Sequence, residues 1–304
     1  MSAVRTVLGD LPPERLGVCD AHDHLFLALP RFAGQELDDP TAAEAELRAF
    51  QALGGQAVAH WTPYGLGRRA AGLVHLAEAT GVHIVAATGL HQAVHYPPDL
   101  LEAILPALDE LFIRELTQGF AEEPSARAGM VKVAGGFHGL DAHARATMAA
   151  AAAAHHATGA PIGVHHELGS AASDVLSLLC DDLGVAPGSI ILGHLNRNPD
   201  LREQRALAAE GAFLAFDGPS RANHATDWRL LDSLAALADA GHADQLLLGG
   251  DTVVAAARAA GGEGPGMPFL LRTLRPRIAR ELGEELATRI FVSNPARALA
   301  AHWH

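Results

Sequence analysis

Six side chains scattered along the chain have the types and spacing of metal ligands: His22, His24, Lys132, His165, His194 and Asp251. His22-Asp23-His24 ends the first strand, and alternate residues of a strand share a face, so both imidazoles could reach one ion. The pair alone is weak, because the chain holds 18 histidines and two surface histidines after a strand would look the same. His165, His194 and Asp251 close three further apolar runs, and Lys132 lies inside another, in Gly-Met-Val-Lys132-Val-Ala-Gly-Gly.

Lys132 is the only lysine among the 22 cationic residues. Arginine stays charged in a protein, whereas a buried lysine can lose its proton and become a nucleophile. A neutral amine can take up carbon dioxide as a carbamate, an anionic oxygen ligand able to hold two metal ions. The plainer reading is a chance survivor of an arginine-biased gene. Two histidines, a carbamate, two more histidines and an aspartate would supply six ligands, enough for two ions. Imidazole with carboxylate-type oxygen suits zinc, and also manganese, cobalt or iron.

The elements that must position these groups are short and repetitive. Apolar runs end near Asp20, His60, Thr88, Ala134, His165, His194, Asp217 and Asp251. Such near-continuous runs suit parallel strands covered on both faces. Between them lie stretches rich in Ala, Leu, Glu and Arg that read as helices, among them 67–80, 99–117 and 171–183. Gly81, Gly159, Gly184 and Gly241 follow such stretches and suit helix C-caps. Eight strands alternating with helices predict an α/β fold, a single-domain (β/α)8 TIM barrel over 1–304; a doubly wound open sheet is the runner-up. Residues 1–15 read as an N-terminal strand and turn. Residues 252–266 read as a loop after the eighth strand, flexible at Gly261-Gly-Glu-Gly-Pro-Gly266. All six candidate ligands then fall at or near the C-terminal mouth, where barrels concentrate chemistry.

Composition narrows the partners. The 304 residues carry a net charge of -13 and 5% aromatics. Both argue against a nucleic-acid surface, which needs cations and stacking rings. Cys19 and Cys180 make no disulfide framework, so a reducing, cytoplasmic setting is expected. Neither a signal peptide nor a membrane span is legible. The expected partner is a small-molecule substrate.

The motifs together resemble the phosphotriesterase-related branch of the amidohydrolase superfamily. The resemblance rests on Thr6-Val-Leu-Gly-Asp-Leu-Pro-Pro-Glu-Arg-Leu-Gly17, His22-Asp-His-Leu-Phe26, Gly65-Leu-Gly-Arg68, Ala87-Thr-Gly-Leu90, Val131-Lys-Val133, Gly193-His194 and Asn294-Pro-Ala-Arg297. It implies a binuclear metal hydrolase. His22, His24 and Asp251 would hold the more buried ion, and His165 and His194 the more exposed one. Carboxylated Lys132 and a hydroxide would bridge the two. The hydroxide would attack the substrate, and Asp251 would accept its proton. His166 falls where the family has a non-ligand. Family members are often dimers, so the resemblance also implies a homodimer.

The chain departs from the family's branches around the substrate. Organophosphate-hydrolysing members carry an aspartate three residues after the sixth-strand histidine, where this chain has Arg197. Here the seventh-strand Asp217 is followed by Gly218, where those enzymes have His and acyl-homoserine-lactone enzymes have Arg. Sugar-lactone-phosphate enzymes place a Lys four residues past that aspartate, and this chain has Arg221 there. The Arg and Tyr those enzymes carry soon after the eighth-strand aspartate are missing. Arg197, Arg221, His91 and Tyr64 are therefore the candidate substrate contacts, with Arg197 alternatively a loop cation paired to Asp200. The leading expectation is hydrolysis of a lactone or carboxylic ester, an acidic sugar lactone among them. Phosphotriesters and N-acyl amides are alternatives on the same site. A TatD-like nuclease or a non-catalytic binding barrel are the alternatives of another class.

Overall fold

The computed structural model describes residues 2–218 and 225–304. The chain opens with an antiparallel hairpin, β1 (Ala3–Thr6) and β2 (Gly9–Leu11), which β11 (Ala300–Ala301) joins as a third strand. The apolar runs form eight parallel strands: β3 (Cys19–Asp23), β4 (Ala57–His60), β5 (His83–Gly89), β6 (Met130–Ala134), β7 (Ile162–His165), β8 (Ile190–Leu192), β9 (Phe213–Asp217) and β10 (Leu246–Gly249). Each pairs with its neighbour in sequence order. The ends meet where the Asp251 N–H donates to the His22 carbonyl at 2.9 Å, which closes the sheet into a barrel.

Helices cover the outside: α1 (Pro40–Ala52), α2 (Ala70–Thr80), α3 (Pro98–Ile104), α4 (Leu108–Thr117), α5 (Ala142–Thr158), α6 (Ala172–Leu176), α7 (Leu201–Ala209), α8 (Leu230–Asp239), α9 (Arg275–Leu282), α10 (Glu284–Thr288) and α11 (Asn294–Ala298). Asp39, Asp141 and Asp200 cap α1, α5 and α7 by accepting backbone N–H groups of the first turn. Gly81 and Gly159 end α2 and α5 in the left-handed conformation, as the sequence predicts.

One boundary differs from expectation. The single helix expected over 99–117 is broken between α3 and α4, where Pro106 withholds a helical N–H. The first barrel strand runs through His22 to Asp23, as expected of a strand that ends in His22-Asp23-His24, with a register shift between Asp20 and Asp23. The residues flanking Gly261–Gly266 are held by α1: the buried Glu46 carboxylate accepts the N–H groups of Ala259, Ala260 and Met267.

Period-two alternation explains what the barrel encloses. Val131, Val133, Ile162, Val164, Leu214, Phe216, Leu246 and Leu248 belong to the large apolar cluster beneath the helices. Their neighbours Met130, Phe213, Ala215 and Leu247 pack with Cys19, Ala57, Val85 and Trp61 in a second, interior cluster. The same alternation turns Lys132, His165 and Asp217 inward on β6, β7 and β9.

Candidate metal centre

The ends of β3, β6, β7, β8 and β10 converge on one narrow cavity. Its lining includes His22, His24, Lys132, His165, His194 and Asp251, with His91 and Arg197 beside them. The candidate ligands His22, His24, Lys132, His165, His194 and Asp251 are all buried. His194 and Asp251 reach the cavity from left-handed backbone, φ 64° and 48°. Such conformations cost an ordinary residue about 1–3 kcal/mol and cluster at functional sites.

Close backbone approach lets the barrel deliver these groups. At Gly89 a Cβ would lie 1.9 Å from the Lys132 carbonyl oxygen. At Gly249 it would strike the His22 backbone at 2.5 Å. The Ala87-Thr-Gly-Leu90 motif and the glycines before Asp251 thus bring β5 against Lys132 and β10 against His22.

Hydrogen bonding decides which nitrogen each imidazole presents. Asp217 Oδ1 lies 3.2 Å from His22 Nδ1, and its Oδ2 lies 2.6 Å from His194 Nδ1. An ionised carboxylate only accepts, so both Nδ1 atoms carry the proton and both Nε2 atoms keep a lone pair. Thr62 donates its hydroxyl proton to the Phe26 carbonyl at 2.6 Å. It must therefore accept from His24 Nδ1, at 2.7 Å, leaving His24 Nε2 bare. Glu167 Oε2 lies 3.1 Å from His165 Nε2, which leaves the Nδ1 lone pair of that ring free. Burial foremost keeps His24 and His165 neutral, lowered to about 4 and about 3, and holds His194 well down too. His22 also stacks on Trp61, ring centroids 4.0 Å apart, while Trp61 Nε1 donates to the Ala21 carbonyl.

These lone pairs fit a divalent ion. His22 Nε2 and His24 Nε2 each lie 3.6 Å from Asp251 Oδ1. Ligand atoms bound about 2.0–2.1 Å from one zinc stand roughly 3.3–3.6 Å apart. His22, His194 and Asp217 also lie close enough to share an ion. Their contacts run through Nδ1 hydrogen bonds, so Asp217 orients two ligands instead of being one. The Lys132 amine is pushed down to about 7, foremost by burial, with Asp251 opposing the shift. Beneath the site Asp20 and Asp23 are fully buried; burial foremost raises both, Asp23 to about 6. Asp20 accepts the N–H groups of His22 and Gly250, and Asp23 those of His24 and Thr252.

The candidate substrate contacts divide. His91 lines the cavity, its ring 4.6 Å from that of His165. Arg197 is not a solvated cation paired with Asp200: its Nη2 lies 2.5 Å from Asp251 Oδ2 and 3.6 Å from Asp217 Oδ2. Asp200 bonds Arg202 instead. Tyr64 departs from expectation: it lines a separate surface cleft with Gly65, Arg68, Leu100 and Glu122, and that cleft contains none of the candidate ligands. The cause is Tyr96, whose hydroxyl donates to the Tyr64 carbonyl and holds that segment aside. Arg221 lies outside the described residues. His166 faces away from the cavity, its Nδ1 3.1 Å from the Ser170 carbonyl. Cys19 is buried inside the barrel and its thiol is pushed up by burial, so it packs and does not react.

Sequence reasoning did not find Asp217, Glu167 or Thr62 as orienting partners, nor Arg31 in the cavity wall. Glu167 carried a readable signal, standing two residues after a strand-end histidine. Thr62 and Arg31 carried none, because loop geometry alone brings them in.

Eight parallel strands closed into a barrel, with buried histidines and an aspartate at their C-terminal ends, define a TIM-barrel hydrolase. The chain belongs to the Phosphotriesterase family, whose family model matches residues 2–299. That family comprises binuclear metal enzymes. Phospho-furanose lactonase from Mycoplasmopsis agalactiae is 31% identical over 252 residues, 75% of this chain and 70% of that one. The crystal structure of a lactonase from Listeria monocytogenes superposes with a TM-score of 0.91 at 28% identity, covering 98% of each chain. A mutant organophosphorus hydrolase from Deinococcus radiodurans gives 0.85 at 28% identity, covering 97% of each. Family membership makes the protein a hydrolase and sets aside the binding-barrel and nuclease readings. Among the described residues no helix is long and apolar enough to cross a membrane.

Proposed function

We propose that the protein hydrolyses a lactone or related carboxylic ester, an acidic sugar lactone foremost, at a binuclear metal centre. The observation that carries this reading is the convergence of four oriented imidazoles, Asp251 and a depressed Lys132 amine on one cavity. The lactone class is supported by the relatives' names and by similarity across nearly the whole chain.

His22, His24 and Asp251 would hold one ion, His165 and His194 the other, with Lys132 joining them as a carbamate. Bound there, two divalent ions supply Lewis acidity and a hydroxide at neutral pH. The residues do the remaining work. Asp217, Thr62 and Glu167 keep the imidazole protons on the outward nitrogens. Asp251 Oδ2, the oxygen turned from His22 and His24, is the base that takes the attacking water's proton. Arg197, bonded to that oxygen, favours the carboxylate form and hence passage of the proton to the leaving oxygen. Leu27, Leu29, Phe32, Leu66 and Val253 wall the cavity with apolar surface and strengthen every charge within it.

The test is initial rates of zinc- and manganese-loaded protein on sugar lactones with and without a phosphate, an N-acyl lactone, an aryl ester, an N-acyl amino acid and an aryl phosphotriester. A lactone leading by orders of magnitude is expected. An amide or phosphotriester leading would overturn the lactone assignment and leave the metal centre standing.

A further inference from the structure

We propose that Arg31, on the loop after β3, is the residue that reads a negatively charged group on the substrate away from the hydrolysed bond. The proposal rests on the lactone reading above and adds a recognition residue to it. It assigns that recognition to a residue other than Arg221.

Arg31 lines the same cavity as the candidate ligands. Its side chain is exposed, and among the described residues it makes no ion pair and no hydrogen bond. Its guanidinium carbon lies 4.7 Å from the ring centroid of its neighbour Phe32. Among the described residues Arg15, Arg114, Arg145 and Arg272 also show no ion pair or side-chain hydrogen bond, but none of them lines the cavity. Arg5, Arg48, Arg68, Arg69, Arg197 and Arg289 all have carboxylate partners.

The two cavity arginines differ in what they can still do. Arg197 is committed to Asp251 and Asp217 at the floor. Arg31 keeps its full set of donors at the wall. The surrounding wall is apolar, with Leu27, Leu29, Pro63 and Leu66 nearby, so an oxyanion brought there would be partly desolvated and held more strongly than in open water. The charge also reaches across the mouth: after burial it is the next largest influence lowering His95, on the loop after β5, to about 4. A planar guanidinium with free donors binds carboxylate or phosphate through two parallel hydrogen bonds. The ligand chemistry is therefore an oxyanion, phosphate monoester or carboxylate, on a molecule small enough to leave its carbonyl among the metal ligands.

The experiment compares wild type, Arg31→Ala and Arg31→Lys, each zinc-loaded and matched by thermal melting. The substrates are one five-carbon lactone in neutral form, as its phosphate monoester and with a carboxylate. We expect Arg31→Ala to lose about 10- to 100-fold in kcat/KM on a charged form, chiefly in KM, with the neutral form nearly unchanged. Arg31→Lys should recover part of the loss. Whichever charged form suffers more identifies the oxyanion. Calorimetry with a sugar-alcohol phosphate and a sugar acid, which have no bond to hydrolyse, gives a readout independent of turnover. One of them should weaken about tenfold or more in Arg31→Ala. Equal loss on charged and neutral lactones, or no loss on either with unchanged calorimetry, would overturn the assignment. If wild type hydrolyses no lactone, the lactone reading fails and calorimetry still decides Arg31.

Discussion

Asp217 bonds two imidazoles at once, so its loss frees two rings, whereas Glu167 holds only one. Removing an orienting partner of this kind typically lowers metal affinity about 10- to 100-fold. Asp217→Asn should therefore weaken both ions in a chelator-competition titration, and Glu167→Gln chiefly one. Equal effects of the two variants would count against the orientation scheme. Lys132 makes a second prediction, with a definite sign. Its amine is about 7 when folded against a usual value of 10.5. Below pH 7 the folded apo-protein carries a buried ammonium at full cost, and stability rises with pH between about 7 and 10.5. Lys132→Met should raise the apo-protein's melting temperature most at pH 6 and least at pH 10. Zinc uptake in bicarbonate should increase as pH rises through 7, because only the neutral amine forms a carbamate. Much of the donor set was legible in the sequence, since strand ends in a barrel share one face. Which nitrogen faces inward was not, because Thr62, Asp217 and Glu167 come from three separate elements.

Strand β5 carries its most demanding position at Gly89, where φ is 113° and a Cβ would meet the Lys132 backbone. Gly89→Ala should cost about 1–3 kcal/mol from overpacking before the positive φ is counted. It should also displace β6, so metal stoichiometry should fall in any protein that still folds; full stoichiometry at normal stability would contradict the close approach. The strands were legible because both faces are covered and their runs are almost purely apolar. Near the end of the first strand, Asp20 and Asp23 look like a polar boundary in the sequence. They are instead a buried pair that ties β3 to the loop after β10. What holds the flanks of the 261–266 segment was hidden for a related reason. Its glycines are local, but the carboxylate that holds those flanks, Glu46, sits on α1.

Across the whole molecule, bound metal and the closed barrel should be one cooperative unit. The candidate ligands come from five strands spread around the ring, so binding to the folded state alone ties those strands together. Chelation should lower the melting temperature. Each tenfold rise in free zinc above the dissociation constants should add about 1.4 kcal/mol per bound ion. A melting temperature indifferent to free zinc would mean the cavity does not hold the ion tightly. The fold class and the family resemblance were legible because the motifs recur at strand ends along almost the entire chain. The substrate side was less so, because it lies on loops whose departures, Arg197 foremost, match no single branch.

His194 and Asp251 sit in left-handed backbone that glycine or asparagine would adopt with less strain. A search for heat-resistant variants run without metal would reward replacing both, and would return sturdier, inert barrels. Screening under limiting zinc would reverse that pressure, because a variant that lost either ligand would also lose the ion that holds its strands together.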